Sequence, residues 1–157
     1  MITINILNLL NYMFSNKFKF ITGGIEMKIL IAEDDLISRR YLNKVLSECG
    51  ECDLVVDGKE AIDAYMMSMR DNEPYDLICL DIMMPKVDGT KVLKAIRELE
   101  DQLGIKEEDK VKIIMTTALG ENQVVQKSFN YGCNAYASKP IDVAKLKDVM
   151  RKIGLEV

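Results

Sequence analysis

The residues able to do chemistry sit in short polar segments that each follow an apolar run: Glu33-Asp34-Asp35, Asp81, Thr117-Ala118 and Ser138-Lys139-Pro140. Carboxylates gathered within a few ångström repel one another, so a cluster of Glu33, Asp34 and Asp81 costs stability unless a cation neutralises it. Mg2+ suits such a site, because carboxylate and carbonyl oxygens plus water meet its octahedral demand. A carboxylate held beside Mg2+ and an ammonium is a competent nucleophile toward phosphorus, giving an aspartyl phosphate. Lys139 and the metal would offset the charge that builds on the phosphoryl oxygens. The Thr117 hydroxyl can donate to one of those oxygens, and the small Ala118 leaves room for the group to enter.

Taken singly, most of these residues have plainer readings. Asp35 reads as a helix N-cap. Asp81 alone would begin a turn, Thr117 alone would cap a loop, and Tyr136 alone would be a half-buried core aromatic. They gain functional weight from company. Lys139 differs, since a lysine fixed before proline at a strand end has little packing reason to be there.

The elements that must position these groups follow from the pattern after residue 27, where short apolar runs alternate with amphipathic stretches. The strands read as residues 28–32, 52–56, 77–80, 111–116 and 135–137, with helices over 36–48, 59–70, 90–101, 121–131 and 143–153. Gly58, Gly89 and Gly120 sit at or just before helix starts, and Gly132 follows a helix end. This alternation predicts an α/β fold with a doubly wound parallel sheet, in which the crevice at the carboxyl ends of the strands carries function.

Composition narrows the chemistry. With no histidine in 157 residues, the commonest general base and zinc ligand are missing. A net charge of −4 with mixed signs offers no broad cationic face for nucleic acid. The cysteines Cys49, Cys52, Cys79 and Cys133 are expected as reduced thiols. Cys49 and Cys52 match a C-x-x-C spacing, but they fall at a helix end, where a thiolate is not stabilised. Met66, Met67 and Met69 read as helix core and rim.

Residues 1–26 read as an N-terminal extension, disordered or mis-started, with Met27 as an alternative start. An interfacial helix is the other reading of this stretch. Its apolar part is too short and too interrupted by Asn5, Asn8 and Asn11 to span a bilayer.

The chain resembles the receiver domain of two-component response regulators. The resemblance runs from about Met27 onward. It rests on Ile29 through Asp35, on Asp76 through Pro85 with Asp88-Gly89, on Thr117-Ala118 and on Lys139-Pro140. It implies a flavodoxin-like sheet in the order 2-1-3-4-5 and a receiver domain over residues 27–157. It also implies that Glu33 and Asp34 are an acidic pair, and that Asp34 and Asp81 ligate Mg2+ together with the Met83 main-chain carbonyl. Asp81 becomes the phosphoacceptor, Lys139 the phosphoryl partner, Thr117 the switch hydroxyl and Tyr136 the aromatic switch. Lys139-Pro140 would be a cis peptide.

The implied molecule is a cytoplasmic signalling switch that catalyses its own phosphorylation and dephosphorylation. Its phosphoryl donor would be a sensor histidine kinase or a histidine phosphotransfer protein. Its target would be a protein contacted through the fourth helix, fifth strand and fifth helix, with no nucleic acid and no stable membrane insertion. The chain stops soon after the fifth helix, so output by binding is the expectation. A Mg2+-dependent phosphohydrolase with an aspartate nucleophile is the alternative; such enzymes usually carry a second Asp two residues after the nucleophile, where this chain has Met83. A flavin or dinucleotide module would need a Gly-rich loop after the first strand, which is missing.

Two features depart from the family pattern: the N-terminal extension, and residues 99–110, a long charged connection read as a solvated extension of the third helix and its exit, with a partner contact as the alternative. The family uses the positions of Met83 and Leu119 to position or exclude attacking water, and both are apolar here. The aspartyl phosphate is therefore expected to outlive that of relatives with polar residues there, as followed by phosphate release. Loss within seconds would contradict this.

Overall fold

The computed structural model describes residues 27–118 and 122–157. The readings made for residues 1–26, Leu119 and Gly120 lie outside the described residues. The sheet is five-stranded and parallel, in the order β2-β1-β3-β4-β5. Its strands are β1 (Met27–Ala32), β2 (Gly50–Val55), β3 (Leu77–Asp81), β4 (Lys112–Thr117) and β5 (Ala135–Ser138). The helices are α1 (Leu36–Leu46), α2 (Gly58–Arg70), α3 (Gly89–Gln102), α4 (Asn122–Asn130) and α5 (Val143–Lys152). This is the doubly wound, flavodoxin-like architecture that the sequence predicts.

The central strands are apolar on both faces because helices cover both. Every residue of β3 is buried, as parallel sheets require. On one face Leu30, Ile78, Leu80, Ile113 and Met115 pack with Tyr65 of α2 and with Val92, Leu93 and Ile96 of α3. On the other, Ile29, Ile31, Cys79 and Ile114 meet Leu42 and Leu46 of α1 and Leu146 and Met150 of α5. The flanking β2 and β5 are only partly covered. Among the described residues, no helix is long and apolar enough to cross a membrane.

Aspartates start most of the helices. Asp35, Asp57, Asp88 and Asp142 each accept a backbone N–H in the first turn of α1, α2, α3 and α5, satisfying donors that have no partner within the helix. Strand β2 begins two residues earlier than the sequence pattern suggests, because Gly50 and Glu51 pair with Met27 and Lys28. Cys49 and Cys52 remain free thiols, and burial pushes the Cys52 thiol up to about 11. That shift disfavours the reactive thiolate.

The charged stretch 99–110, which begins within the last turn of α3, departs from the solvated reading in one respect. Glu100 is fully buried. Its carboxylate accepts from Arg97 Nη1 at 2.5 Å, from Val111 N at 2.8 Å and from Tyr65 Oη at 3.2 Å. Arg97 also donates to the carbonyls of Gly132 and Val111 and to Asn134 Oδ1. Beyond α3 the chain makes a 3-10 turn over Glu107–Asp109, and Lys110 bridges Asp101 and Glu107 at 2.8 Å each.

Helix α3 packs its first residue directly on the end of β3. A Cβ at Gly89 would lie 2.1 Å from the Asp81 carbonyl oxygen, a contact that no side chain can make without backbone movement. Gly89→Ala is expected to destabilise the protein by about 1–3 kcal/mol. Urea unfolding checks this.

Candidate functional site

The parallel sheet places the C-terminal ends of β1, β3, β4 and β5 along one rim, and the chemistry-bearing residues leave the strands there. Glu33 continues the sheet by donating its N–H to Val55 O at 3.1 Å. Its side chain is completely buried. One carboxylate oxygen accepts the Asp35 N–H at 3.1 Å, and the other lies 2.6 Å from Lys139 Nζ. Asp81, buried at the end of β3, places Oδ1 3.1 Å from the same ammonium. Asp34 is exposed at the mouth. Carboxylate oxygens of Glu33, Asp34 and Asp81 lie within 4.8 Å of one another.

Lys139 arrives by a defined route. Its N–H donates to Thr117 O at 2.6 Å, holding the end of β5 against β4, and the Lys139-Pro140 peptide is cis. Residue register puts Asp81 opposite Thr116 and Thr117 opposite Ser138. Thr117, buried, therefore stands one step beyond the Asp81 row, and Ala118 beside it is exposed.

The electrostatics follow from one ammonium facing several carboxylates. Burial pushes the Asp81 carboxyl up to about 7, the Glu33 charge adds to this, and Lys139 opposes it. Burial alone would lower the Lys139 pKa, but its hydrogen bond to Glu33 and the Asp81 charge outweigh that and raise it. Lys139 thus stays protonated while Asp81 is poised near neutrality. The donor set is all oxygen and net anionic, which fits a hard divalent cation such as Mg2+.

Asp35 stays outside the cluster as an N-cap, accepting Ser38 N at 2.8 Å, and that bond holds its carboxyl below the usual range. Tyr136 is 46% exposed, its ring edge-on to Phe129 at 5.9 Å between centroids. Met83 is 67% exposed in the loop between β3 and α3. Arg39 plays a part that sequence reading missed. Its Nη1 donates to the carbonyls of Glu33 at 2.8 Å and Asp34 at 3.1 Å, clamping the loop that carries both acids. A basic residue four positions after an N-cap aspartate was the available signal.

Residues 29–151 match the model of the response regulator receiver domain. The chain belongs to that family. This receiver is 37% identical over 128 residues to hybrid signal transduction histidine kinase L of Dictyostelium discoideum, covering 81% of the chain but 7% of the kinase. It spans only 4 to 8% of the length of the first hybrid kinases it matches. A CheX-CheY-BeF3-Mg2+ complex from Borrelia burgdorferi contains a chain of 30% identity and TM-score 0.71, with 85% of this receiver and 92% of that chain covered. The Saccharomyces cerevisiae complex of the phosphotransfer protein Ypd1 with the Ssk1 receiver gives 27% identity and TM-score 0.69, with 80% and 87% covered.

A raised Asp81 pKa has a signed consequence for stability. The unfolded carboxyl loses its proton near 3.8, while the folded one holds it until about 7. The associated stability is therefore fully present below pH 3.8 and is lost as the pH rises through 7. In metal-free buffer Asp81→Asn is expected to exceed the wild type in stability by about 1 kcal/mol at pH 8, after allowance for screening at the mouth of the site. The gap should close toward pH 4 in urea unfolding.

Proposed function

We propose that this receiver accepts a phosphoryl group on the Asp81 carboxylate in a Mg2+-dependent reaction. The observation that carries the reading is the convergence of Glu33, Asp34 and Asp81 within 4.8 Å, with Lys139 paired to both Asp81 and Glu33. Glu33, Asp34, Asp81 and the Met83 main-chain carbonyl would hold the ion. When bound, Mg2+ supplies charge that neutralises the cluster and the phosphoryl oxygens. An Asp81 oxygen attacks phosphorus; the new O–P bond forms as the N–P bond of a phosphohistidine donor breaks and its imidazole takes up a proton. Lys139 holds one phosphoryl oxygen and Thr117 donates its hydroxyl to another.

The donor is a sensor histidine kinase or a histidine phosphotransfer protein, a reading supported by the hybrid-kinase relatives and by the receiver complexed with Ypd1. Residues 27–157 form the receiver unit and residues 1–26 an extension, acting in the cytoplasm as a switch that catalyses its own phosphorylation and dephosphorylation. Thr117 moves toward the phosphoryl group, Tyr136 turns inward, and the face of α4, β5 and α5 changes its preference for a protein target. Such a change is a shift between populated states. A groove of about 550 Å³ runs along that face, lined by Phe129, Tyr136, Lys145, Val149 and Ile153 among others.

Incubation with acetyl phosphate and Mg2+ is expected to add one phosphate-sized mass, seen by intact-mass spectrometry. The gain should vanish in Asp81→Asn and in the presence of EDTA. Persistence of the added mass in Asp81→Asn would move the acceptor elsewhere.

A further inference from the structure

The loop between β3 and α3, residues 82–88, carries the Met83 carbonyl, so its conformation decides whether that oxygen faces the acidic cluster. Its base is closed by Gly89 N–H donating to Ile82 O at 2.8 Å, and its middle by Val87 N–H donating to Pro85 O at 2.8 Å. Between these bonds Lys86 has φ +65°, a left-handed conformation uncommon for residues other than glycine, asparagine and aspartate. The lysine at this strained position reaches out of the loop to α2. Its Nζ lies 2.5 Å from Asp57 Oδ2.

Asp57 is unusually placed to receive it. Its side chain is only 6% exposed, and its other oxygen accepts Glu60 N–H at 2.9 Å as the α2 N-cap. One carboxylate therefore ties the start of α2 to the loop. The two backbones also touch at this point, since a Cβ at Gly58 would lie 1.8 Å from the Val87 carbonyl oxygen. Lys86 itself is largely exposed, which weakens the pair in water, but a buried acceptor makes the bond charge-assisted and costly to leave unmade.

We propose that Asp57 and Lys86 form a brace that positions the β3–α3 loop, and with it the Met83 carbonyl, for binding the divalent cation. The brace rests on the metal assignment made under the proposed function. Both are positioning residues, acting on the ion only through the loop.

A double-mutant cycle on the full chain tests this, with Mg2+ affinity measured by calorimetric titration and global stability by urea on the same proteins. Asp57→Asn keeps a cap oxygen but removes the charge. Lys86→Met and Lys86→Arg carry the same backbone strain and differ in that only the arginine keeps a positive charge. Asp57→Asn and Lys86→Met are each expected to weaken Mg2+ binding by about threefold to tenfold, with the double variant no weaker than the worse single one. Lys86→Arg should stay within about twofold of the wild type. Unchanged Mg2+ affinity in Lys86→Met, or effects that multiply in the double variant, would overturn the brace while leaving the proposed function standing. Failure of the wild type to bind Mg2+ at all would overturn both.

Discussion

Repulsion among Glu33, Asp34 and Asp81 is the constraint around which the rest of this molecule is arranged. Two of these acids are buried, where like charges are least screened and most costly. The chain tolerates them because Lys139 is delivered from β5 to sit between Glu33 and Asp81, held by its own N–H on the Thr117 carbonyl. Burial first, and the Glu33 charge after it, still push the Asp81 carboxyl up against the opposing pull of Lys139. That residual imbalance is what makes the site receptive to further positive charge.

The parallel sheet turns this local imbalance into a functional address. Because every strand runs the same way, acids, hydroxyl and ammonium that lie far apart in sequence leave their strands on a single rim. Gly89 against the Asp81 carbonyl brings α3 close beneath it, and Arg39 fixes the acidic loop from α1. Rigid elements thus hold the side chains, while the loops between them set the finer geometry.

Much of this was legible in the sequence, for identifiable reasons. Strand-end residues can be read because apolar runs of strand length mark where each strand stops, so the meeting of Glu33, Asp34, Asp81 and Lys139 followed from pattern alone. Contacts that depend on side-chain reach could not be read. Glu100 looked solvated within a charged stretch, yet its partners include Tyr65 from another helix and a backbone N–H eleven residues on. Arg39 works through backbone carbonyls, so only its spacing from the Asp35 cap hinted at its part. The early start of β2 depends on its pairing with Met27, a long-range event invisible to local propensity. Residues 99–110 needed the fold to show which of their charges turn inward.

The buried guanidinium of Arg97 lies at the opposite end of the sheet from the acids, fastening the Val111 carbonyl before β4 and the Gly132 carbonyl and Asn134 before β5. Strands of this length separate the two ends by roughly 15–20 Å. One side chain of α3 thereby ties together the segments that enter β4 and β5, far from the rim where Asp81, Thr117 and Lys139 emerge.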